Sequence, residues 1–211
     1  MSNIFITREN KVEIANVATH FAGIVFSFVA LFNLRAYESD NYGLHFFILG
    51  LFAVYCASTL YHSIALYHLK VKMQVVDHLA IFLLIGGTHC PFIVGYTFGS
   101  TRIVLLAIII ALVVIGFVYK LLFFEKFKKI SLVYYLALGW FAIIDIPLMW
   151  GNISVDCLRY IGIGGLFYTT GTIFYKMEKL PYHHAYWHIF VSFGSYFHYV
   201  AVLTMLNHPL Q

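Results

Sequence analysis

The sequence predicts an all-α fold: a polytopic bundle of seven transmembrane helices. Three observations carry that expectation. Of 211 residues, 62% are hydrophobic and only 10% are charged, against about a quarter charged in soluble domains. The apolar residues gather into long runs, each able to supply the ~20 helical residues that a hydrocarbon core requires. The connections between runs are short, so residues 1–211 read as a single transmembrane domain with no soluble domain beside it.

The elements follow in order. Residues 1–15 form a polar, helix-compatible lead with Arg8, Glu9, Lys11 and Glu13. They lack the basic start, apolar core and small-residue cleavage site of a signal peptide, so the first span is expected to direct insertion. Apolar spans are expected at 16–35, 43–68, 74–97, 102–123, 131–150, 156–175 and 183–206. Orientation follows from the basic residues, which favour the cytoplasmic side. With the N-terminus inside, only Arg35, Arg102 and Arg159 fall outside. The other ten of the 13 Lys and Arg residues fall inside, among them Lys70, Lys120 and the run Lys126-Phe127-Lys128-Lys129. Seven spans then put the C-terminus outside. The formal charge of +4 is accounted for by this asymmetry and implies no nucleic acid partner. Cys56, Cys90 and Cys157 lie far apart and form no C-x-x-C, which argues against a disulfide framework or a thiolate metal site.

Polar residues inside apolar spans point to the chemistry, because a membrane helix rarely carries them without a purpose. His184 and His188 are four residues apart and share one helical face. Alone, H-x-x-x-H is a weak signal, since paired histidines also snorkel or bond to neighbours. Other polar residues reach the same depth. The second span runs inward and ends on Ser58-Thr59-Leu60-Tyr61-His62-Ser63, and the third begins inside with Asp77-His78 near its first turn. Three separated motifs thus converge on one leaflet. His62, His184 and His188 supply three nitrogen ligands, the number that catalytic zinc takes while keeping one open position. Asp77 could supply a fourth ligand, but it suits better a partner of the water at the open position. Ser58 lies one turn before His62, where its hydroxyl can support a reacting group or simply satisfy helix packing.

Other candidates have plainer readings. His78 reads as a headgroup-facing residue, and His183 diverges from His184 by about 100° around the helix. His20, His45, His68, His89, His198 and His208 lack a matching spacing and are assigned structural or interfacial roles. Asp145, two residues before Pro147, can bond backbone freed by the proline or line a cavity. Gly162, Gly165 and Thr172 share a face suited to close helix packing.

Ser58-x-x-x-His62, Asp77 and His184-x-x-x-His188 resemble the three short motifs of the hemolysin III family. This family groups with the progestin and adipoQ receptors and, more distantly, the alkaline ceramidases. Tyr61-His62-Ser63, the run from Asp77 to Thr88, Pro91-Phe92 and the run from Leu180 to His188 extend the resemblance over most of the chain. The short N-terminal lead looks like the bacterial branch, which implies the bacterial cytoplasmic (inner) membrane. The resemblance implies Zn2+ on His62, His184 and His188, with Asp77 near its water.

Two function classes stand after this reading. One is a zinc-dependent hydrolase of a lipid amide or ester, with a membrane lipid or lipid-like molecule as substrate. The other is a lipid sensor in which zinc braces the helices. A pore gains little support from one polar cluster near one face. A transporter would use Asp77 and Asp145.

Overall fold

The computed structural model describes residues 8–38, 40–124 and 128–207. The described residues form eight α-helices and no strand. These are α1 (Arg8–Leu34), α2 (Gly43–Ser63), α3 (Tyr67–Tyr96), α4 (Gly99–Leu122), α5 (Lys128–Gly139), α6 (Ala142–Met149), α7 (Val155–Lys176) and α8 (His183–Asn207). A short 3-10 turn at Arg35–Tyr37 follows α1. Six stretches are long and apolar enough to cross a membrane: Asn10–Tyr37, Gly43–Ser63, Tyr67–Tyr96, Gly99–Leu122, Ile130–Met149 and His183–Asn207. The stretch 156–175, expected to be a span, lies within the 22-residue helix α7. Its glycines, threonines and tyrosines dilute its apolar character, and it is not among the six. His208 and Lys126-Phe127 lie outside the described residues, as do the side chains of Lys128 and Lys129.

Helices apolar on every side suit a lipid surround, because each backbone group is bonded within its own segment. Ile103, Ile110 and Val114 of α4 accordingly face outward. Lipid cannot drive helices together as water does, so close approach depends on small residues. The α2–α3 seam shows this. A Cβ on Gly43 would stand 2.5 Å from the Cys90 carbonyl oxygen, and one on Gly50 would stand 2.7 Å from that of Leu83. Gly87 presses in the same way on the carbonyl of Phe46. Any side chain there would push α2 and α3 apart and move the polar residues they carry.

The α7–α8 seam corrects one expectation. Its tight glycine is Gly171, where a Cβ would meet Trp187 and Phe190 at 2.8 Å, with Gly164 pressed against His198. Gly162, Gly165 and Thr172 instead border an internal cavity. Seven residues separate Gly164 from Gly171, nearly two turns, so that pair forms its own stripe.

Two helix boundaries differ from the expected spans. The run expected at 43–68 stops at Ser63, and α3 starts at Tyr67 rather than residue 74. Ile64 (ψ 123°) and Leu66 (ψ 112°) are extended. Ile64-Ala65-Leu66 is apolar and holds no Gly or Pro, so hydropathy runs straight through the turn. Asp77 therefore sits nearly three turns into α3 rather than in its first turn. The span expected at 131–150 is broken into α5 and α6 at Trp140–Phe141, where Ile143 N–H reaches Trp140 O and Ile144 N–H reaches Phe141 O. Pro147, inside α6, has no N–H to offer the carbonyl one turn back. The break carries Asp145 into the bundle, where it is 2% exposed.

Candidate metal centre

Two helices deliver the three rings. His62 closes α2, and His184 and His188 lie in the first turns of α8. Tyr182, just before α8, has a φ of 60°. That left-handed conformation is uncommon for a residue with a bulky side chain. It turns the chain sharply and sets His184 close to the helix start. One ring nitrogen from each of His62, His184 and His188 lies within 4.8 Å of the others. Ring centroids are 5.0 Å apart for His62–His184, 5.1 Å for His62–His188 and 4.5 Å for His184–His188. This buried triad can hold a metal ion.

The hydrogen bonds behind the rings test that fit. Glu13 Oε2 lies 2.6 Å from His62 Nδ1. A carboxylate there accepts the Nδ1–H and leaves the Nε2 lone pair free. His62 Nε2 is indeed buried without a partner in the protein. Thr19 Oγ1 lies 3.1 Å from His188 Nδ1, and the same hydroxyl reaches the Ala15 and Asn16 carbonyls at 2.9 Å. With its one hydrogen given to a carbonyl, Thr19 accepts from His188 Nδ1–H and again frees Nε2. Metal-binding histidines are typically oriented through their other nitrogen in this manner. Lys70 Nζ lies 2.7 Å from Glu13 Oε1, so one carboxylate links α1, α2 and α3.

The sequence reading did not single out Glu13, Asn16 or Thr19. They belong to α1, which starts at Arg8 rather than near residue 16. A signal was available, because Glu13, Asn16 and His20 recur at helical spacing on one face of an otherwise apolar segment. His20, assigned a structural role, has its ring centroid 3.7 Å from that of His188. Both of its nitrogens are buried without a partner. It lies outside the triad whose nitrogens share one centre.

Ser58 of α2 and Asp77 of α3 lie close to each other across the α2–α3 seam. Ser58 is 1% exposed and Asp77 is 9% exposed. Both border a cavity of about 270 Å³ that also touches His20, His184 and His188. Asp77 is not part of the metal-capable group. His78 Nδ1 lies 2.7 Å from Gln74 O. His183 is not part of the triad either, its ring centroid lying 6.1 Å from that of His184.

Asp145 is engaged by a residue that the sequence reading set aside. Its Oδ2 lies 2.7 Å from His89 Nδ1, both side chains are buried, and both border the same cavity. Pairing across 56 positions leaves no local signature in the sequence.

Helices of this length and apolarity around a buried histidine triad define an integral, multi-pass membrane protein. Comparison with known proteins agrees. A family model described as Haemolysin-III related matches residues 8–199. The chain is 39% identical over 202 residues to the Hemolysin-3 homolog of Bacillus subtilis (strain 168), covering 92% of this chain and 93% of that protein. It is 37% identical over 211 residues to Hemolysin-3 of Bacillus cereus, covering 94% and 93%. The Monocyte to macrophage differentiation factor of Homo sapiens is 28% identical over 160 residues, covering 73% and 66%. The chain belongs to the haemolysin-III related family.

Proposed function

We propose that the protein is a zinc-dependent hydrolase of a lipid amide or ester. The observation that carries this reading is the His62 Nε2 lone pair, buried and unpartnered beside two further imidazoles at the end of an apolar cavity. Three neutral nitrogens on a closed scaffold suit zinc and leave a position open. His62, His184 and His188 hold the ion, and Glu13 and Thr19 orient two of the rings. When bound, zinc polarises a carbonyl oxygen and makes a water more acidic. Asp77 takes the proton from the attacking water and returns it to the leaving group. Ser58 donates to the Asp77 carboxylate and fixes the oxygen that works. The apolar cavity wall accepts the lipid chain and excludes bulk water.

The same reading places seven helices across a bacterial cytoplasmic membrane, with α7 as the seventh span, the N-terminus inside and the C-terminus outside. A reporter fused after Gln211 that is active only in the cytoplasm would reject that topology.

Asp77→Asn tests the reaction. It keeps the shape and the Ser58 contact while removing the base. Zinc content and melting temperature should stay near the parent's, while lipid-product release should fall by about 100-fold or more. Absence of turnover by the zinc-loaded parent across lipid amides and esters would remove the enzyme reading.

A second reading, a lipid sensor braced by metal, draws on the Lys70–Glu13–His62 chain that ties three helices together. Under it, Asp77→Asn alters stability and leaves no catalytic defect to measure.

A further inference from the structure

The cavity that starts at the triad runs on to a second polar cluster. Asp77 and His89, both on its wall, stand twelve residues apart on α3, which is about 18 Å of helix. His188 and His198 mark the same two ends on α8, ten residues and about 15 Å apart. Between them the wall is apolar, with Ile81, Leu84, Ile85 and Val191.

The far cluster is rich in acceptors that lack donors. His89 Nδ1 meets Asp145 Oδ2 at 2.7 Å, and its Nε2 meets the Leu138 carbonyl at 3.2 Å. The carbonyl can only accept, so Nε2 carries a hydrogen. One further proton lies between Nδ1 and Oδ2. Whether it rests on the imidazole or on the carboxyl, the pair is neutral as a unit and Oδ1 remains an acceptor. Oδ1 is buried without a partner. His198 repeats the pattern: its Nε2 lies 3.2 Å from the Ile161 carbonyl and therefore carries the hydrogen. Its Nδ1 is then a lone-pair acceptor, also buried without a partner. Tyr168 and Ser195 pair with each other at 2.8 Å, and three threonines on the wall are spent on backbone carbonyls. Thr88 donates to Leu84 O, Thr169 to Gly165 O and Thr172 to Thr169 O.

Two unsatisfied acceptors, carried by residues that line the far part of the cavity, call for a donor that a ligand can bring once these side chains turn toward it, because a buried acceptor left unpaired is costly. The neutrality of the His89–Asp145 pair favours a neutral donor over an ammonium, which would be buried without a countercharge. We propose that this far end is a binding subsite for a hydroxyl carried on the chain of an amphiphile whose carbonyl head lies at the triad. The placement of the head rests on the hydrolase reading above; the hydroxyl subsite does not require turnover.

The test is equilibrium binding to the detergent-purified protein. The probes are dodecanoate and hexadecanoate, each beside its ω-hydroxy derivative. The readout is the affinity ratio of hydroxylated to plain probe, compared between proteins. For one of the two chain lengths, the ratio in the parent should exceed that in the His89→Leu/Asp145→Leu double variant by roughly tenfold or more. Replacing both partners with apolar residues avoids a lone buried charge and keeps the fold; zinc content on the same samples verifies this. Asp145→Asn, which turns its amide to His89 Nδ1 and keeps an oxygen acceptor, should retain most of the parent's ratio. Equal ratios in parent and double variant at both lengths would overturn the subsite, as would a ratio lost fully in Asp145→Asn with zinc content intact. A parent that hydrolyses nothing yet shows the ratio overturns the hydrolase reading and leaves the subsite standing.

Discussion

The two ends of the cavity use the same residue types to opposite ends. At the triad end, His62 and His188 each have one nitrogen tied from behind, by Glu13 and by Thr19, and the other nitrogen left free. At the far end, both nitrogens of His89 meet oxygen acceptors, and no third ligand atom joins them. Among the described residues, only the triad brings three potential ligand atoms within 4.8 Å. What stands behind an imidazole therefore decides whether it is free to take a metal ion or is held as a hydrogen-bonding strut. The carboxylates divide similarly. Glu13 is partly exposed and bridges Lys70 and His62, whereas Asp145 is buried and meets one histidine at 2.7 Å.

The sharpest way to break this comparison is to remove a ligand. His188→Ala should abolish stoichiometric zinc and lower the melting temperature, because metal binding contributes to the folded state. Metal analysis and a thermal melt on one sample check both. Unchanged zinc content would place the ion elsewhere.

Removing one partner at the far end should cost stability without touching metal. Asp145→Leu leaves His89 Nδ1 without a partner in a buried site, a loss of about 1–3 kcal/mol. The His89→Leu/Asp145→Leu double variant should recover most of that loss. Melting temperature and zinc content, read together, distinguish this from damage to the triad. Loss of zinc in the single variant would show that the two ends are coupled.

The smallest effects should come from the residues behind the rings. Glu13→Gln should weaken zinc affinity by about 10- to 100-fold while preserving the fold. Thr19→Val, which removes one neutral hydrogen bond, should weaken it only several-fold, in line with about 1 kcal/mol. Competition with a zinc-chelating dye gives both values. A larger loss for Thr19→Val than for Glu13→Gln would reverse the roles assigned to them.

The sequence by itself determined what depends on neighbours along the chain. Apolar runs of membrane length predict helices because backbone groups in lipid must be satisfied internally. The spacing of His184 and His188 sets them on one face through the helical period. Depth counting placed His62 at the same level, because rise per residue is nearly constant. Tertiary structure decided what depends on how helices turn towards one another. The α2–α3 break at Ile64–Leu66 carries no composition signal, so the start of α3 and the depth of Asp77 within it emerged only in three dimensions. The rotation of α1 makes Glu13 and Thr19 supports for two rings and sets His20 against His188. The kink between α5 and α6 brings Asp145 to His89 across 56 positions. Periodicity along a chain fixes which residues share a face of one helix. It does not fix which face meets which neighbour, because that choice is made by small-residue seams and buried polar pairs between distant segments.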